Sequence, residues 1–287
     1  MNASKSSNDF VPKQAFTPTP QLYDELVGNS MEKLAEASLS GTTINHGFTI
    51  HDNGCGTGAG SAAVIAGFGH NLNNGVTIKG TDISEDALAA YRARAKKNGW
   101  AAEGINTDSQ HLPFVDDTID LSIWNALVFI IPQNATLALR ETYRTLKPGG
   151  TVIVNSWAYL PNMNPLQLAA KMTRPPGTPL PRQELQRWTA ADLLEEVLVK
   201  GGFQKDKISM REAEVFCDTP ELTHFATMLW SFIGGTNEAG WLESDEERWD
   251  EAIEIIVTEL RKTKGFEELA DGKARLRFVA NIATAVK

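Results

Sequence analysis

Short apolar runs alternate with amphipathic stretches along most of the chain. Runs of strand type begin at Phe48 and then lie at Val76–Thr81, about Ala102–Thr107, Ile119–Trp124, Thr151–Val154, about Lys207–Phe216 and Arg275–Val286. Between them, apolar residues recur at helical spacing, as Leu88, Tyr91 and Ala95 do. Because strands that alternate with helices form parallel sheets covered on both faces, the pattern predicts an α/β fold with a sheet of seven strands.

The first predicted strand runs into a glycine-rich turn. Gly54, Gly56 and Gly58 alternate with other residues there, and Asp52 stands just ahead of them. Glycine permits a tight turn and lets a ligand approach main-chain N–H groups, which carry partial positive charge at a helix N-terminus. Similar turns occur in proteins that bind nothing at that place, so the next strand is needed to decide between the two interpretations.

The second predicted strand is followed by Asp82, which lies 24 residues after Gly58. In nucleotide-binding α/β folds, a carboxylate at roughly this interval accepts hydrogen bonds from the ribose hydroxyls. The carboxylate of Asp52 would repel a pyrophosphate, whereas it would attract a ligand that carries positive charge. S-Adenosylmethionine combines a sulfonium centre, an ammonium group, a ribose and an adenine, so it satisfies both conditions.

Four segments in order resemble motifs of the class I S-adenosylmethionine-dependent methyltransferases. They are the glycine turn at 52–58, the ribose segment at 81–84, the adenine-side segments at 107–109 and 112–114, and the turn at 146–150 into the fifth strand. They cover about residues 48–155, and the likeness is to enzymes of fungal small-molecule (secondary-metabolite) pathways and of quinone biosynthesis. The resemblance implies an enzyme that binds S-adenosylmethionine on a Rossmann-like, mostly parallel sheet with helices on both faces.

The resemblance also assigns cofactor binding to residues at the carboxyl ends of the first four strands and in the turns that follow. They are Asp52, Gly54, Gly56, Gly58, Asp82, Ile83, Asp108, Ser109 and Asn125. Asn125 is followed by Ala-Leu-Val. Methyltransferases that act on nucleobase amines carry Pro-Pro and an aromatic residue at that place, so the sequence counts against a nucleobase amine as methyl acceptor.

The segments outside these motifs are expected to carry the substrate. Thr19 and the proline after it predict the start of a helix, and related chains often use such a helix as a lid, although a plain packing helix is the alternative. We therefore expect an N-terminal arm and lid helix at 1–40 and a methyltransferase domain at 41–287. Within that domain, about 158–188 and 217–265 are expected to be substrate-side segments, the second a helical insertion between strands six and seven.

The charge of the chain indicates which partners it is not expected to bind, and its cysteine content indicates the compartment in which it is expected to lie. The formal net charge is −9 and no run of lysine and arginine occurs, which predicts no nucleic-acid partner and no anionic membrane surface. Cys55 and Cys217 are the two cysteines, so we expect no disulfide framework. The N-terminus lacks the apolar core of a signal peptide, and the longest apolar run, Ala126–Ile131, is too short to span a bilayer. These features predict a cytoplasmic protein.

Methyl transfer is a displacement that requires the acceptor to be held in line with the methyl group, so the protein needs no nucleophile of its own. The sequence accordingly shows no metal-ligand cluster, and we leave the catalytic residue unassigned. A thiol acceptor is partly ionised near neutral pH, whereas an aliphatic hydroxyl needs a base, for which His224 is the candidate. Residues of the flanks are predicted to contact the substrate, namely Tyr23, Trp157, His224 and Phe225.

The sequence predicts methyl transfer to a small, apolar metabolite, with a thiol sulfur slightly preferred over oxygen or nitrogen. One alternative is a regulatory or partner protein that binds the cofactor on the same fold with little turnover. Another is methylation of a protein side chain, which would require an open, charged groove. The acceptor atom and the oligomeric state stay open at this point.

Overall fold

A computed structural model of the protein describes residues 10–67, 75–219, 221–235 and 239–287. The side chains of Asn134 and Asp271 lie outside the description, as do the first nine residues of the predicted N-terminal arm. All structural statements below refer to the described part of the chain.

The strands form one sheet whose neighbours are in the order β3-β2-β1-β4-β5-β8-β6, with β7 paired to β8. The strands are β1 (Thr49–Asn53), β2 (Thr77–Asp82), β3 (Ala102–Asn106), β4 (Ile119–Trp124), β5 (Leu146–Tyr159), β6 (Ile208–Thr219), β7 (Glu267–Glu268) and β8 (Ala274–Val286). The pairs β1–β2, β1–β4, β2–β3 and β4–β5 are parallel, and the β7–β8 pair is antiparallel. The predicted mostly parallel sheet of seven strands is confirmed, with the two-residue β7 added at its side.

Helices connect and flank these strands. They are α1 (Pro20–Val27), α2 (Ser30–Leu39), α3 (Ala59–Gly67), α4 (Glu85–Asn98), α5 (Thr136–Thr145), α6 (Met163–Thr173), α7 (Ala191–Lys200), α8 (Leu222–Ser231), α9 (Glu243–Glu247) and α10 (Trp249–Leu260). Within the described ranges, none of the helices has both the length and the apolar character that crossing a membrane requires.

Helix α4 shows how local sequence signals fix an element. The Ser84 hydroxyl accepts the Ala87 N–H at 3.2 Å, and two acidic residues follow in the first turn. Gly99 ends the helix in the left-handed conformation at φ 66°. Because the cap hydroxyl satisfies a free N–H and glycine adopts positive φ without strain, both helix ends are determined by a few residues.

The predicted N-terminal helix is divided into two. Thr19 Oγ1 accepts the Leu22 N–H at 3.1 Å, so α1 begins where the sequence predicts. Gly28 has a φ of 52°, and its N–H donates to Asp24 O at 2.9 Å, which ends the helix. Helix α2 then begins at Ser30, so the expected single lid helix is two short ones because a glycine interrupts the apolar stripe.

Strand β5 is longer than the predicted Thr151–Val154. It begins at Leu146, which pairs with Ile119 of β4, and the pairing then shifts in register before Thr151 pairs with Leu121. The intervening Lys-Pro-Gly-Gly sequence therefore forms an irregularity inside the strand. The turn residues predicted that the strand begins only after them. Because the chain pairs with β4 on both sides of these residues, they lie inside the strand instead.

Contacts among Cα atoms group the chain into two compact units. The sheet unit contains Ser30–Ala158, Arg187–Val215 and Val279–Lys287, and the described residues of the helical unit lie in 10–29, 159–186 and 216–278. In the sheet unit, a core cluster around Trp124, Leu139 and Leu198 is fully buried. In the helical unit, α10 packs against α6 and α8, and α1 packs against α8.

A buried ion pair joins two elements of the helical unit. Arg174 follows α6, and its Nε and Nη2 donate to the two carboxylate oxygens of Asp245 in α9, each at 2.8 Å. Both side chains are 0% exposed. Asp245 Oδ2 also accepts the Leu242 N–H at 2.8 Å. A buried charge is tolerated only while it is paired. Removal of either partner would therefore leave the charge of the other buried without compensation.

Replacing Asp245 with alanine is expected to destabilise the fold by about 3–5 kcal/mol, because the Arg174 guanidinium would stay buried without its counter-ion. The measurement is chemical denaturation followed by tryptophan fluorescence. The control is Glu251→Ala, which removes the solvent-exposed partner of Arg248 and should leave the unfolding midpoint almost unchanged. Equal effects of the two substitutions would contradict the assigned role of the buried pair.

Candidate functional site

The carboxyl ends of the first four parallel strands stand level with one another in the sheet unit. Asn53 at the end of β1 pairs in register with Thr81 of β2 and with Trp124 of β4, and Asp82 pairs with Asn106 of β3. The turns that follow these strands therefore meet at one edge of the sheet. Open α/β sheets bind their ligands at this edge.

The three turn glycines have different surroundings. A Cβ atom at Gly54 would lie 2.4 Å from Leu127 Cδ1, and one at Gly58 would lie 3.1 Å from Tyr91, so both positions are limited by packing. A Cβ atom at Gly56 would meet nothing within 4 Å. Gly56, with a φ of 51°, therefore presents its backbone to open space. Of the predicted glycine cradle, this is the residue that leaves room for a ligand.

Asp82 links the turn to the end of β2. Its Oδ2 accepts the Gly56 N–H at 2.9 Å and its Oδ1 accepts the Ser84 N–H at 2.9 Å. A carboxylate oxygen has two lone pairs, so each oxygen can accept one more hydrogen bond. The half-buried carboxylate is thus held in a fixed orientation with acceptor capacity for a pair of hydroxyls.

Asp52 faces the interior. It is 1% exposed, and its Oδ2 accepts both the N–H and the hydroxyl of Ser61 in α3, each at 2.7 Å. Burial raises the pKa of Asp52 to about 6, against the lowering effect of the Ser61 hydrogen bonds. A Cβ atom at Gly60 would lie 2.5 Å from Asp52 Oδ1. The contacts that the structure gives Asp52 therefore join the turn to α3, and its predicted role toward the cofactor stays a prediction.

The adenine-side residues predicted from the sequence lie beside the same edge. Ile83 is 72% exposed, which leaves an apolar side chain next to Asp82 uncovered. Asp108 Oδ1 accepts the Gln110 N–H at 2.8 Å and so shapes its own loop. Ser109 donates its hydroxyl proton to Asn53 Oδ1 at 2.7 Å, which ties this loop to the end of β1.

A buried polar relay that the sequence did not predict supports this arrangement. Asn53 Oδ1 also accepts from Thr81 Oγ1 at 3.2 Å; Thr81 Oγ1 lies 2.9 Å from His51 Nε2, and Ser122 Oγ lies 3.2 Å from His51 Nδ1. Burial lowers the pKa of His51 to about 3, so the ring is neutral near pH 7. A neutral ring that donates from Nε2 to Thr81 Oγ1 and accepts at Nδ1 from Ser122 leaves each of these hydroxyls free to donate its own proton to the next acceptor of the relay. The sequence does carry one signal for such a relay, because polar residues interrupt a strand that is expected to be apolar.

Asn125, at the end of β4, is held by other groups of the sheet unit. Its Nδ2 donates to Met31 O at 2.9 Å, and its Oδ1 accepts from Asn155 Nδ2 at 3.0 Å. Asn155 is fully buried, and its Oδ1 accepts the N–H of Ala126, whose φ is 56°. Asn155 thus stabilises a left-handed turn after β4, a role that the sequence alone did not indicate.

The predicted substrate residues fall into different environments. In the helical unit, Tyr23 is 45% exposed and Phe225 is 3% exposed. His224 Nε2 lies 2.7 Å from Glu25 Oε1, and its ring centroid lies 5.6 Å from that of Phe16. Trp157, in the sheet unit, is 7% exposed. The structure brings Tyr23 and His224 onto packed helices α1 and α8, and a substrate role for any of the four stays a prediction.

Several known proteins are similar to this chain. Residues 50–150 match a family model described as a methyltransferase domain. Methyltransferase GfsG of Streptomyces halstedii is 29% identical over 142 residues, which are 48% of this chain and 48% of GfsG. Methyltransferase tpcH of Aspergillus fumigatus is 22% identical over 247 residues, 83% of this chain and 84% of tpcH. A SAM-dependent methyltransferase from Aquifex aeolicus has a similar structure, with a TM-score of 0.51, 18% identity and coverage of 69% of this chain and 94% of that chain.

The match to the methyltransferase-domain model covers the part of the chain that carries the four motifs. The resemblance to methyltransferases predicted from the four motifs is therefore confirmed, and the Aquifex structure confirms the Rossmann-like fold. The similarity to GfsG spans only about half the length of that relative. The match places the glycine turn, Asp82 and Asn125 inside the methyltransferase domain.

The match also confirms S-adenosylmethionine as the cofactor expected for the methyltransferase domain. The glycine turn and the residues at the end of β2 fit this cofactor in three ways. Gly56 leaves open space beside the backbone. Asp82 keeps one acceptor position on each oxygen, which suits the two ribose hydroxyls. Ile83 offers an exposed apolar surface next to that carboxylate, as an adenine ring requires.

The buried carboxyl of Asp52 is expected to make stability depend on pH. Its pKa is raised by folding from 3.8 to about 6, so its contribution is complete below pH 4 and is lost as the pH rises through 6. Relative to Asp52→Asn, the wild type should lose about 3 kcal/mol between pH 4 and pH 7, at 1.36 kcal/mol for each pKa unit. Denaturant unfolding of both proteins at several pH values measures the difference. A difference that does not vary with pH would contradict the raised pKa.

Replacing Asp82 with alanine is expected to weaken binding of S-adenosylmethionine by about 10- to 100-fold, because hydrogen bonds to a charged group contribute about 1.5–3 kcal/mol. Isothermal titration measures the affinity, and circular dichroism checks the fold. The control is Glu103→Ala, which removes an exposed carboxylate of β3 that pairs with Lys79. Wild-type affinity in the folded Asp82→Ala protein would show that the ribose assignment is wrong.

Proposed function

We propose that this protein transfers the methyl group of S-adenosylmethionine to a heteroatom of a small molecule. The observation that carries the proposal is the fixed carboxylate of Asp82, bonded at 2.9 Å to the N–H of Gly56 beside open space. It lies within the methyltransferase domain, at the edge of the sheet where α/β folds bind nucleotides.

The residues at the edge would hold the cofactor by complementary contacts. Asp82 would accept both ribose hydroxyls, Ile83 would cover the adenine ring, and Asp108 would accept from the adenine amino group. The Asn53 relay keeps the loop that carries Ser109 in place. When bound, S-adenosylmethionine supplies an electrophilic methyl group on a sulfonium. The task left to the protein is to position the acceptor and exclude water.

The contacts of His224 bear on the choice of acceptor atom. Glu25 Oε1 lies 2.7 Å from its Nε2, an arrangement in which a carboxylate orients an imidazole that acts as a general base. The pair could therefore receive a proton from a hydroxyl acceptor, and it also ties α1 to α8. We nevertheless favour a thiol slightly over oxygen or nitrogen, since a thiol ionises near neutral pH and needs positioning more than a base.

The flanks favour an apolar metabolite as substrate. The helical unit carries aromatic side chains that are not fully covered, among them Tyr23, whose ring meets that of Phe232 edge-on at a centroid distance of 6.3 Å. Ring-bearing small molecules are recognised by such surfaces, with a few polar groups to fix their orientation.

Incubation with labelled S-adenosylmethionine and a panel of small thiols, phenols, amines and carboxylic acids tests the proposal. We expect the label to pass to one class of acceptor, and mass spectrometry of the products identifies the atom that receives it. Asp82→Ala should abolish transfer at low cofactor concentration, and Glu103→Ala should preserve it. Tight cofactor binding without transfer to any class would instead favour a regulatory protein that uses the methyltransferase fold.

A further inference from the structure

Arg144, in the last turn of α5, uses every donor of its guanidinium inside the sheet unit. Its Nε and Nη2 donate to the two carboxylate oxygens of Glu141, each at 2.8 Å. Nη1 donates to Phe114 O at 2.8 Å and to Asp116 Oδ1 at 2.6 Å, and Nη2 also donates to Leu112 O at 3.1 Å. A guanidinium carries five N–H groups in a rigid plane, so each of them has a partner here. Its acceptors are therefore held in fixed positions relative to α5.

Three of these acceptors belong to the adenine-side loop, residues 107–118, which joins β3 to β4. Glu141 holds the same loop, because its Oε2 also accepts the Leu112 N–H at 3.0 Å. Both backbone polar groups of Leu112 are thus bonded to side chains of α5. The two charged side chains of α5 therefore form one clamp on residues 112–116.

A tight turn joins the clamped residues to Asp108 in the same loop. The His111 N–H donates to Asp108 O at 2.8 Å, and the His111 carbonyl accepts the hydroxyl of Thr107 at 2.9 Å. His111 directly precedes Leu112, whose backbone the clamp holds. Because a hydrogen-bonded turn moves as a unit, a shift of the clamped residues would also move the carboxylate of Asp108.

We propose that Arg144 is a positioning residue that determines how strongly the protein prefers adenine to hypoxanthine. It fixes residues 112–116 and thereby holds the Asp108 carboxylate where that group accepts a hydrogen bond from the 6-amino group of adenine. Hypoxanthine carries an oxygen at that position, which a fixed carboxylate repels. A carboxylate that is free to move would distinguish the two bases less. This inference rests on the proposed function, in which Asp108 faces the adenine ring.

Two ligands that differ only in the base test the inference without requiring turnover, namely S-adenosylhomocysteine and S-inosylhomocysteine. Isothermal titration of wild-type protein should give an affinity about 10- to 100-fold higher for the adenine ligand, because a hydrogen bond to a charged group is lost with the other. Arg144→Gln should reduce this ratio of affinities several-fold. Arg144→Lys should retain part of the ratio, since lysine keeps the positive charge but lacks the planar fork of donors.

A purely structural role of Arg144 would change both affinities by the same factor and leave their ratio as in the wild type. Asp108→Ala removes the carboxylate itself and should lower the ratio at least as much as Arg144→Gln does. Adding Arg144→Gln to Asp108→Ala should then change the ratio no further, as expected of two residues that act through one contact.

Arg140→Gln is the matched control on the same helix. Arg140 lies one turn before Arg144 and is exposed, and its Nε donates to Lys200 O at 3.4 Å. It makes none of the contacts of the clamp, so its substitution should leave the ratio of the two affinities unchanged.

The Arg144 variants are expected to fold, because two backbone N–H groups at the end of the loop, those of Asp117 and Thr118, donate to carbonyls at the end of α5 whichever side chain is present. Circular dichroism checks the fold, and Arg144→Lys supplies the ratio if Arg144→Gln unfolds. Equal affinity of the wild type for both ligands, or a wild-type ratio in the folded Arg144 variant, would overturn the inference. Failure of the wild type to bind S-adenosylhomocysteine would instead refute the proposed function.

Discussion

The candidate site depends on how two carboxylates hold one glycine turn. Asp52 accepts two hydrogen bonds from Ser61 on the buried side, and Asp82 accepts the N–H of Gly56 on the open side. The turn is thereby fastened to α3 and to the end of β2 at once. A glycine-rich loop would otherwise sample many conformations, and a nucleotide would have to order it on binding. The two carboxylates provide that order beforehand.

A second layer of polar groups fixes the loops around the turn. A network of side-chain hydrogen bonds connects the sheet interior with the adenine-side loop and converges on Asn53 Oδ1, which accepts from both Thr81 and Ser109; Ser122 and His51 complete the network. His51 can serve in it because burial keeps the ring neutral, with a pKa of about 3. Asn53 Nδ2 is buried without a hydrogen-bond partner in the described part of the chain, so this amide keeps donor capacity at the end of β1.

A buried ion pair of the helical unit shows how the fold tolerates a charge in its interior. Arg174 bonds through Nε and Nη2 to both carboxylate oxygens of Asp245 and joins the segment after α6 to α9. Its Nη1 is buried without a hydrogen-bond partner in the described part of the chain. The carboxylate therefore compensates the charge of the guanidinium without satisfying all of its donors.

The sequence by itself determined the sheet, the cofactor family and the position of the turn. The helix caps Ser84 and Gly99 act over a few residues, so they can be recognised from the sequence. The spacing from Gly58 to Asp82 can be recognised too, because it follows from the connection of one strand to the next. Only the tertiary structure decided that Asp52 points inward to Ser61, that β5 continues through a proline, and that Arg174 meets Asp245. Those outcomes depend on partners 9 to more than 70 positions away, and which distant groups meet is set by packing, which no local pattern encodes.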